Sequence, residues 1–245
     1  MILAAGLGTR LRPLSEQIPK CMIRVGGKPV LQYTIEWLRR YGVTDVVINL
    51  HHLPNVVKEH FGDGAAWGVR LTYIVEPVLL GTAGAVKNAA SLFGESPSLV
   101  WYGDNLSTCR LDRLWAFHRA TGGAATIALF YRDDVTQSGI AALDENSRVT
   151  RFVEKPSADQ VFSRWVSAGI LVLEPRALDT IKAGEPADFG RDVFPELLAR
   201  DEPIYGYRMQ PDEGLWWIDR PEDLRRLEDL WPALPFARAR PATLK

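Results

Sequence analysis

Near its amino terminus the chain reads Leu3-Ala4-Ala5-Gly6-Leu7-Gly8-Thr9-Arg10-Leu11-Arg12-Pro13, and Pro19-Lys20 follows shortly afterwards. The stretch joins an apolar strand to a loop in which Gly6 and Gly8 can adopt positive φ and lack a Cβ. Successive backbone N–H groups can therefore turn toward phosphate oxygens without steric obstruction. Arg10 and Lys20 add the positive charge that such oxygens attract. The stretch predicts a cradle for the phosphates of a nucleoside triphosphate.

Two other interpretations of the same glycines are weaker. The dinucleotide-binding fingerprint has a third glycine at the start of a helix, but here that position is Leu11. Pro13 and Pro19 also interrupt any long helix in this region. We therefore expect a loop that binds phosphate through its own amides and side chains. A plain glycine turn after a core strand is the other alternative, and Arg10 and Lys20 argue against it.

The pattern along the chain predicts an α/β fold. Apolar runs of strand length alternate with segments of helical period through the first 130 residues. Such alternation is typical of a mostly parallel, doubly wound sheet that helices cover on both faces. Ligands of such sheets bind beyond the carboxyl ends of the strands. Gly6, Glu76 and Asp104 each follow a strand, so we expect them to converge on one crevice.

Beyond about residue 132 the pattern becomes irregular, with short strands near 139–142, 148–153 and 168–173. No Pro/Ser-rich linker separates this part from the first, so we interpret residues 1–231 as one domain. Its halves span about 1–131 and 132–231. Residues 232–245 contain three prolines and little periodicity, and we predict a flexible tail there.

Composition excludes several classes of protein. The 29 Lys and Arg residues balance 30 Asp and Glu residues, so no net field favours nucleic acid or an anionic membrane as a partner. The two cysteines, Cys21 and Cys109, lie in unrelated contexts and predict neither a disulfide framework nor a thiolate metal site. Without a signal peptide or a long apolar run, we expect a cytoplasmic protein. Homo-oligomerisation is left open.

Two carboxylates are candidate ligands for Mg²⁺. Asp104 follows an apolar strand in Tyr102-Gly103-Asp104-Asn105, and Asp219 ends a similar run, Trp216-Trp217-Ile218-Asp219. Mg²⁺ prefers one or two carboxylates together with water and phosphate oxygens. The alternatives are a turn that Asp104 forms with its own backbone and a helix start that Asp219 organises before Pro221.

A third strand end carries Glu154-Lys155-Pro156. Pro156 forces the chain out of the sheet, so a lysine held there can meet a second phosphate. An exposed Glu-Lys pair is common at strand ends, and that alternative stays open on local sequence alone.

Together these segments resemble the sugar-1-phosphate nucleotidylyltransferases over residues 2 to about 230. The resemblance rests on six motifs in order: Leu3 to Arg10, Pro19-Lys20, Gly81-Thr82, Tyr102-Gly103-Asp104, Glu154-Lys155-Pro156 and Trp217-Ile218-Asp219. It implies a Rossmann-like, GT-A-like three-layer sandwich with a nucleotide half and a small sugar-side β lobe. It also implies that the chain joins a nucleoside triphosphate to a sugar 1-phosphate, with Mg²⁺, and releases pyrophosphate.

The resemblance assigns roles to individual residues. The implied catalytic residues are Arg10, Lys20, Asp104 and Lys155, and the implied metal ligands are Asp104 and Asp219. The implied nucleotide-binding residues are Leu3, Ala4, Ala5, Gly6, Gly8, Thr9, Arg10, Lys20, Glu76, Gly81, Thr82 and Gly103. The implied residues for the sugar phosphate are Asn105, Gly139, Glu154, Lys155, Ser167 and Gly169.

The chain departs from the family pattern at two places. Ser167-Ala168-Gly169 stands where the family usually has Asn-Ala-Gly, and the turn between Asp219 and Pro221 is two residues shorter than in relatives. The first change exchanges an amide for a shorter hydroxyl in the sugar half. The second leaves open whether Asp219 reaches the metal.

The base is predicted from Glu76, which stands where relatives that use uridine or thymidine triphosphate tend to have glutamine. A carboxylate only accepts hydrogen bonds, which suits the two donors on one edge of guanine. We therefore favour GTP. The alternative is that Glu76 faces solvent and contacts no base. The segment Asp188 to Phe194 resembles the mannose-1-phosphate and heptose-1-phosphate guanylyltransferase branches, and mannose 1-phosphate is favoured narrowly. Alternatives are glucose or heptose 1-phosphate with another triphosphate, a non-sugar phosphate, and a non-enzymatic nucleotide-sugar sensor.

Overall fold

A nine-stranded mixed sheet forms the centre of the structure, a computed structural model that describes residues 1–238. The strands in chain order are β1 (Ile2–Leu3), β2 (Arg24–Val25), β3 (Lys28–Pro29), β4 (Asp45–Leu50), β5 (Arg70–Val75), β6 (Ser98–Tyr102), β7 (Asn105–Ser107), β8 (Ala125–Tyr131), β9 (Ile140–Leu143), β10 (Val149–Val153), β11 (Trp165–Leu173), β12 (Ile204–Arg208) and β13 (Leu215–Trp217). The α-helices are α1 (Leu14–Gln17), α2 (Val30–Arg40), α3 (Pro54–Phe61), α4 (Gly81–Asn88), α5 (Leu111–Thr121), α6 (Phe194–Ala199), α7 (Pro221–Leu230) and α8 (Pro235–Arg238).

The strand order of the central sheet is β10-β9-β11-β6-β1-β4-β5, with β8 also paired to β11 and β12 to β8. β1 lies parallel between β4 and β6, β5 is parallel to β4, and β12 is parallel to β8. The predicted α/β architecture is confirmed. What the pattern did not predict is that β11 runs antiparallel to β6, β8 and β9, so that one continuous sheet crosses both halves of the chain.

Helices cover both faces of the sheet, as a doubly wound fold requires. On one face Leu31 and Ile35 of α2 pack with Ile48 of β4. On the other face Val86 of α4 and Phe194 of α6 pack together. Successive residues of a strand point to opposite faces, and each apolar side chain of this size that is fully buried contributes roughly 1.5–3 kcal/mol. The buried faces therefore hold the strand ends in fixed positions.

A short ribbon outside the central sheet brings two distant segments together. β13 pairs antiparallel with β7, and Trp217 lies opposite Asn105. Asp104 immediately precedes β7, and Asp219 follows β13 by two residues. The ribbon thus places these carboxylates near one another despite the short turn before Pro221.

The described part of the predicted flexible tail is packed against the domain. Residues 231–233 form a 3₁₀ turn, α8 follows, and Leu234 is buried. The Phe236 ring lies 5.5 Å from the Tyr33 ring and 5.9 Å from the Trp216 ring, between centroids. The sequence pattern did not predict these contacts, because Phe236 meets aromatic residues that are distant in the chain. Residues 239–245 of the predicted tail lie outside the described residues. Between residues 1 and 238, no helix has both the length and the apolar character needed to cross a membrane.

Candidate active site

Two cavities lie side by side at the edge of the sheet where the parallel strands β1, β4, β5 and β6 end. The first cavity, of about 260 Å³, is lined by Leu3, Ala4, Ala5, Gly6, Lys20, Cys21, Asn49, Glu76, Leu79, Gly81, Thr82, Tyr102, Asp104 and Asp188. The second cavity, of about 190 Å³, is lined by Arg10, Thr82, Tyr102, Asp104, Asn105, Gln137, Ser138, Gly139, Phe152, Glu154, Lys155, Ser167, Gly169, Asp188, Gly190, Phe194, Trp217 and Asp219. Because Thr82, Tyr102, Asp104 and Asp188 line both, the cavities adjoin, and two molecules bound in them would meet near Asp104.

The glycine loop owes its shape to Gly8, which has a φ of +60°. Its carbonyl accepts hydrogen bonds from the Leu11 backbone at 2.8 Å and the Ser15 hydroxyl at 2.7 Å. A Cβ at Gly8 would lie 3.2 Å from the Cβ of Lys20. A larger residue would thus be strained in this left-handed conformation and would also press on the lysine. Gly8 therefore shapes the loop and leaves space for Lys20, although Gly8 itself lines neither cavity.

Lys20 lies between the two candidate metal ligands. Its Nζ donates to Asp104 Oδ2 at 2.5 Å and to Asp219 Oδ1 at 2.5 Å, and its side chain is 11% exposed. Burial by itself lowers the pKa of Lys20, but the two carboxylates outweigh burial, so the pKa lies above its ordinary value. Lys20 is therefore a fixed positive charge where the cavities meet.

Asp219 is stabilised in its charged form by three cations. Burial raises its pKa, but the charge and hydrogen bond of Lys20 and the charges of Arg10 and Lys155 outweigh burial, and the pKa lies below its ordinary value. Arg10 Nη2 is 3.2 Å from Asp219 Oδ2, and Arg10 Nη1 donates to Gln137 Oε1 at 3.1 Å. Arg10 thus links the glycine loop to both the β13 end and the second half of the chain.

Glu76 is buried at the first cavity, with 3% of its surface exposed. Its Oε1 accepts from the Asn49 amide at 2.8 Å, and its Oε2 accepts from the Leu80 backbone at 3.1 Å. The Asn49 Oδ1 in turn accepts from the Ala4 backbone at 3.0 Å. The alternative that Glu76 faces solvent is therefore wrong. Its carboxylate is a fixed acceptor in the cavity wall.

Glu154 is held between two glycines of the second cavity. A Cβ at Gly139 or at Gly190 would lie 2.5 Å from its Oε2, so a side chain at either position would push the carboxylate out of its present place. Burial raises the pKa of Glu154 and the charge of Asp188 raises it further, whereas Lys155 and Arg191 lower it; the pKa lies above its ordinary value. The Lys155 backbone has a φ of +48°, an uncommon conformation for a residue with a side chain.

Most of the residues that the resemblance assigned are brought together. Every assigned sugar-phosphate residue lines the second cavity, and both metal candidates line it too. Gly8, Thr9 and Gly103 do not line either cavity. Gly103 instead permits close packing, since a Cβ there would lie 2.8 Å from Ile2 Cγ2. Whether the lining residues bind these ligands stays a prediction.

Sequence reasoning missed several lining residues. Asn49 is the next-to-last residue of β4 and a polar residue after an apolar run, which is a signal that the strand-end rule could have used. Asp188 begins a segment already noted for its resemblance. Gln137 had no signal, because its contact with Arg10 joins residues 127 positions apart.

Cys21 also lines the first cavity, and both Cys21 and Cys109 are buried and free. Burial raises the pKa of the Cys21 thiol to about 12, with the charge of Asp104 adding to the effect. The thiol is therefore neutral near pH 7 and forms an unreactive part of the wall.

Asp104 and Asp219 have the geometry and charge to hold a divalent cation. Both accept from the Lys20 Nζ, so the two carboxyl groups lie close enough together for one cation to contact both. Within residues 1–238 there is no group of three or more His, Cys, Asp or Glu side chains arranged for a metal ion. Two carboxylates completed by water and phosphate oxygens match the way Mg²⁺ binds at phosphoryl-transfer sites.

The sequence matches the family model described as nucleotidyl transferase over residues 1–237. A UTP–glucose-1-phosphate uridylyltransferase from Synechocystis is 32% identical over 247 residues, which cover 96% of this chain and 62% of that protein. A mannose-1-phosphate guanylyltransferase from Mycobacterium tuberculosis is 35% identical over 232 residues, which cover 92% of this chain and 62% of that protein. The chain thus spans about 62% of the length of these relatives.

Solved structures share the fold. A Bacillus anthracis protein with a provisional assignment as a glucose-1-phosphate thymidylyltransferase, in complex with sucrose, superposes with a TM-score of 0.85. It is 22% identical, and the match covers 99% of this chain and 96% of that one. HddC from Yersinia pseudotuberculosis, complexed with GMP-PN, superposes with a TM-score of 0.77 at 26% identity. The match covers 94% of this chain and 97% of that one.

Proposed function

Because this chain belongs to the nucleotidyl transferase family, we propose that it is an enzyme that joins a nucleoside triphosphate to a sugar 1-phosphate and releases pyrophosphate. The observation that carries this proposal is the position of Asp104, which lines both cavities and accepts a hydrogen bond from Lys20. A triphosphate in the first cavity and a sugar phosphate in the second would have their reacting groups at this point.

The chemistry needs alignment and charge neutralisation. A phosphate oxygen of the sugar phosphate attacks the α-phosphorus of the triphosphate. The bond from that phosphorus to the oxygen between the α- and β-phosphorus atoms breaks, and pyrophosphate leaves with that oxygen. The sugar phosphate is already a competent nucleophile, so the protein must hold two anions in line and offset their repulsion. Lys20 lines the first cavity, whereas Arg10 and Lys155 line the second. These three cations surround the point where both phosphates would lie.

Mg²⁺ is the cofactor that we propose for this site. Asp104 and Asp219 would hold it, and the ion would supply charge stabilisation at the α-phosphate. The carboxylates already lie within 2.5 Å of the Lys20 ammonium.

GTP is the favoured triphosphate, because Glu76 offers a buried carboxylate in the first cavity. Guanine has two adjacent N–H donors on one edge, whereas uracil has one donor between two acceptors, which a carboxylate would repel. A carboxylate has about four acceptor positions, and two of them are taken by Asn49 and Leu80. The rest can receive the base.

Mannose 1-phosphate is the favoured acceptor, and its support is the mannose-1-phosphate guanylyltransferase relative. The second candidate is uridylyl transfer to glucose 1-phosphate, which is favoured by the Synechocystis relative and by its match over 96% of this chain. These two candidates differ in both base and sugar, so one panel of substrates separates them.

The test is a pyrophosphate-release assay on the wild-type protein. It combines GTP, UTP, dTTP and ATP, each with Mg²⁺, with mannose, glucose and heptose 1-phosphates, and includes phosphocholine as a non-sugar acceptor. We expect the fastest release with GTP and mannose 1-phosphate. Fastest release with UTP and glucose 1-phosphate would establish the second candidate. Release with phosphocholine only, or with no pair, would refute transfer to a sugar phosphate.

A further inference from the structure

The segment before the 189–193 turn docks tightly onto the amino-terminal end of α4. Ala187 O accepts from the Ala83 and Gly84 backbones at 2.9 and 3.1 Å, and the Ala187 backbone donates to Leu80 O at 2.9 Å. A Cβ at Gly81 would lie 2.5 Å from Ala187 O. The two backbones are therefore in direct contact, and neither can shift without breaking hydrogen bonds.

Thr82 and Asp188 extend this contact with their side chains. The Thr82 hydroxyl donates to Asp188 Oδ2 at 2.8 Å and accepts from the Phe189 backbone at 3.0 Å. The other oxygen of Asp188 accepts from the Gly190 and Arg191 backbones at 3.0 and 3.2 Å. One carboxylate thus caps the π-helical turn Phe189–Val193 and joins it to α4.

Leu80, the residue immediately before α4, connects this contact to Glu76, the buried carboxylate of the first cavity. The Leu80 backbone donates to Glu76 Oε2 and its carbonyl accepts from Ala187. Leu80 therefore forms hydrogen bonds both to Glu76, which we expect to contact the base, and to Ala187.

The capped turn reaches the carboxylate of the second cavity. Gly190 lies so close to Glu154 that a Cβ would be 2.5 Å from its Oε2. The position of Glu154 therefore depends on the position of this turn. A continuous series of contacts runs from Glu76 through Leu80 and Ala187, then Thr82 and Asp188, to Gly190 and Glu154.

We propose that Asp188 is a positioning residue that, held by Thr82, fixes the 189–193 turn and Glu154, so that nucleotide in the first cavity strengthens binding of sugar 1-phosphate in the second. This inference rests on the proposed function. Coupling between two sites requires that both bias the same element. Here that element is the α4 end with its docked turn, and Thr82 and Asp188 line both cavities.

The test measures how strongly one ligand affects the other. Titration calorimetry gives the Kd of mannose 1-phosphate with and without the α,β-methylene analogue of GTP, in which the bond that would break is a P–C bond. The UTP analogue and glucose 1-phosphate replace these ligands if the substrate panel selects them. We expect about tenfold tighter sugar-phosphate binding by wild-type protein when the analogue is bound, within the usual range of coupling between sites.

Three variants and a control separate positioning from general damage. Thr82→Val removes the hydroxyl, Asp188→Asn leaves one acceptor oxygen where two are used, and Thr82→Ser keeps the hydroxyl. Asp192→Asn is the matched control, because Asp192 accepts from the Asp188 backbone on the same turn but lines neither cavity. We expect the first two to lose the analogue's effect on sugar-phosphate Kd, and the serine variant and the control to keep it. Thermal melting checks that each variant is folded.

The outcomes distinguish this inference from the proposed function. A tenfold effect that survives in Thr82→Val and Asp188→Asn overturns the inference, while the proposed function stands. The inference is also overturned if wild-type protein releases pyrophosphate but shows no coupling, or if Thr82→Ser behaves like Thr82→Val. Wild-type protein that binds the analogue but no sugar 1-phosphate overturns both.

Discussion

The Nζ of Lys20 lies 2.5 Å from Oδ2 of Asp104, which joins the lysine after the glycine loop to the carboxylate after β6. The two residues are 84 positions apart, and the same ammonium also contacts Asp219. Lys20 therefore offsets the repulsion of the two carboxylates, and under the proposed function it would also supply charge for the triphosphate.

Replacement of Lys20 tests this role. We expect Lys20→Met to lower kcat/KM for pyrophosphate release by about 10²–10³-fold, a typical loss for one preorganised stabilising group. The matched control is Lys28→Met, which removes the partly exposed Lys28–Glu36 ion pair. Such pairs contribute only about 0–1 kcal/mol, so activity should stay unchanged. Equal activity of the two variants would contradict the assigned role of Lys20.

Glu76 should determine the choice of base. In Glu76→Gln, the NH₂ group of the new amide would face either the Asn49 amide donor or the Leu80 N–H, which now donate to the two carboxylate oxygens. We expect the ratio of kcat/KM for GTP over UTP to fall about tenfold, as the loss of one or two hydrogen bonds of about 0.5–1.5 kcal/mol each implies. Glu95→Gln, at an exposed position, should keep the wild-type ratio. Equal turnover of GTP and UTP by wild-type protein would remove the basis of this prediction.

The sequence predicted those parts of the site that follow from local pattern. Gly6, Glu76 and Asp104 follow the ends of β1, β5 and β6 within three residues, and parallel strands bring such positions to one edge. What local pattern could not predict was pairing between distant segments. The antiparallel placement of β11 and the contact of Thr82 with Asp188, 106 positions later, depend on tertiary packing that no short period encodes.

The short turn after Asp219 shows the same limit. Comparison with the family pattern put the placement of Asp219 in doubt, because the turn lacks two residues. In the structure, the pairing of Trp217 with Asn105 places Asp219, so that its carboxylate reaches Lys20. The ribbon thus fixes the chain before Asp219, and the Asp219 backbone donates to Asp223 Oδ2 at 3.0 Å across the short turn.

Glu154 should make folding stability depend on pH. Burial, followed by the charge of Asp188, raises its pKa in the folded protein above the ordinary value of 4.5. For a group with a raised pKa, the stabilising contribution is full below the unfolded pKa and is lost as pH rises through the folded pKa. We therefore expect wild-type protein to lose stability relative to Glu154→Gln as pH rises from 4.5. Denaturant unfolding at a series of pH values measures the difference, and a difference that is constant or of opposite slope would contradict the raised pKa.

The proposed metal site predicts a specific loss of cation affinity. Mn²⁺ titration followed by electron paramagnetic resonance, with the α,β-methylene analogue of GTP bound, reports the ion without turnover. We expect Asp104→Asn and Asp219→Asn each to weaken Mn²⁺ binding by at least about tenfold, since even the loss of an outer-shell partner typically costs 10–100-fold. Asp112→Asn is the control, because Asp112 forms a surface pair with Arg110 and lines neither cavity. Removal of Mg²⁺ with EDTA should stop pyrophosphate release, and added Mg²⁺ should restore it. If Asp219→Asn binds Mn²⁺ as tightly as the control while Asp104→Asn does not, Asp219 is not a metal ligand. Its carboxylate would then act only through its ion pairs with Lys20 and Arg10.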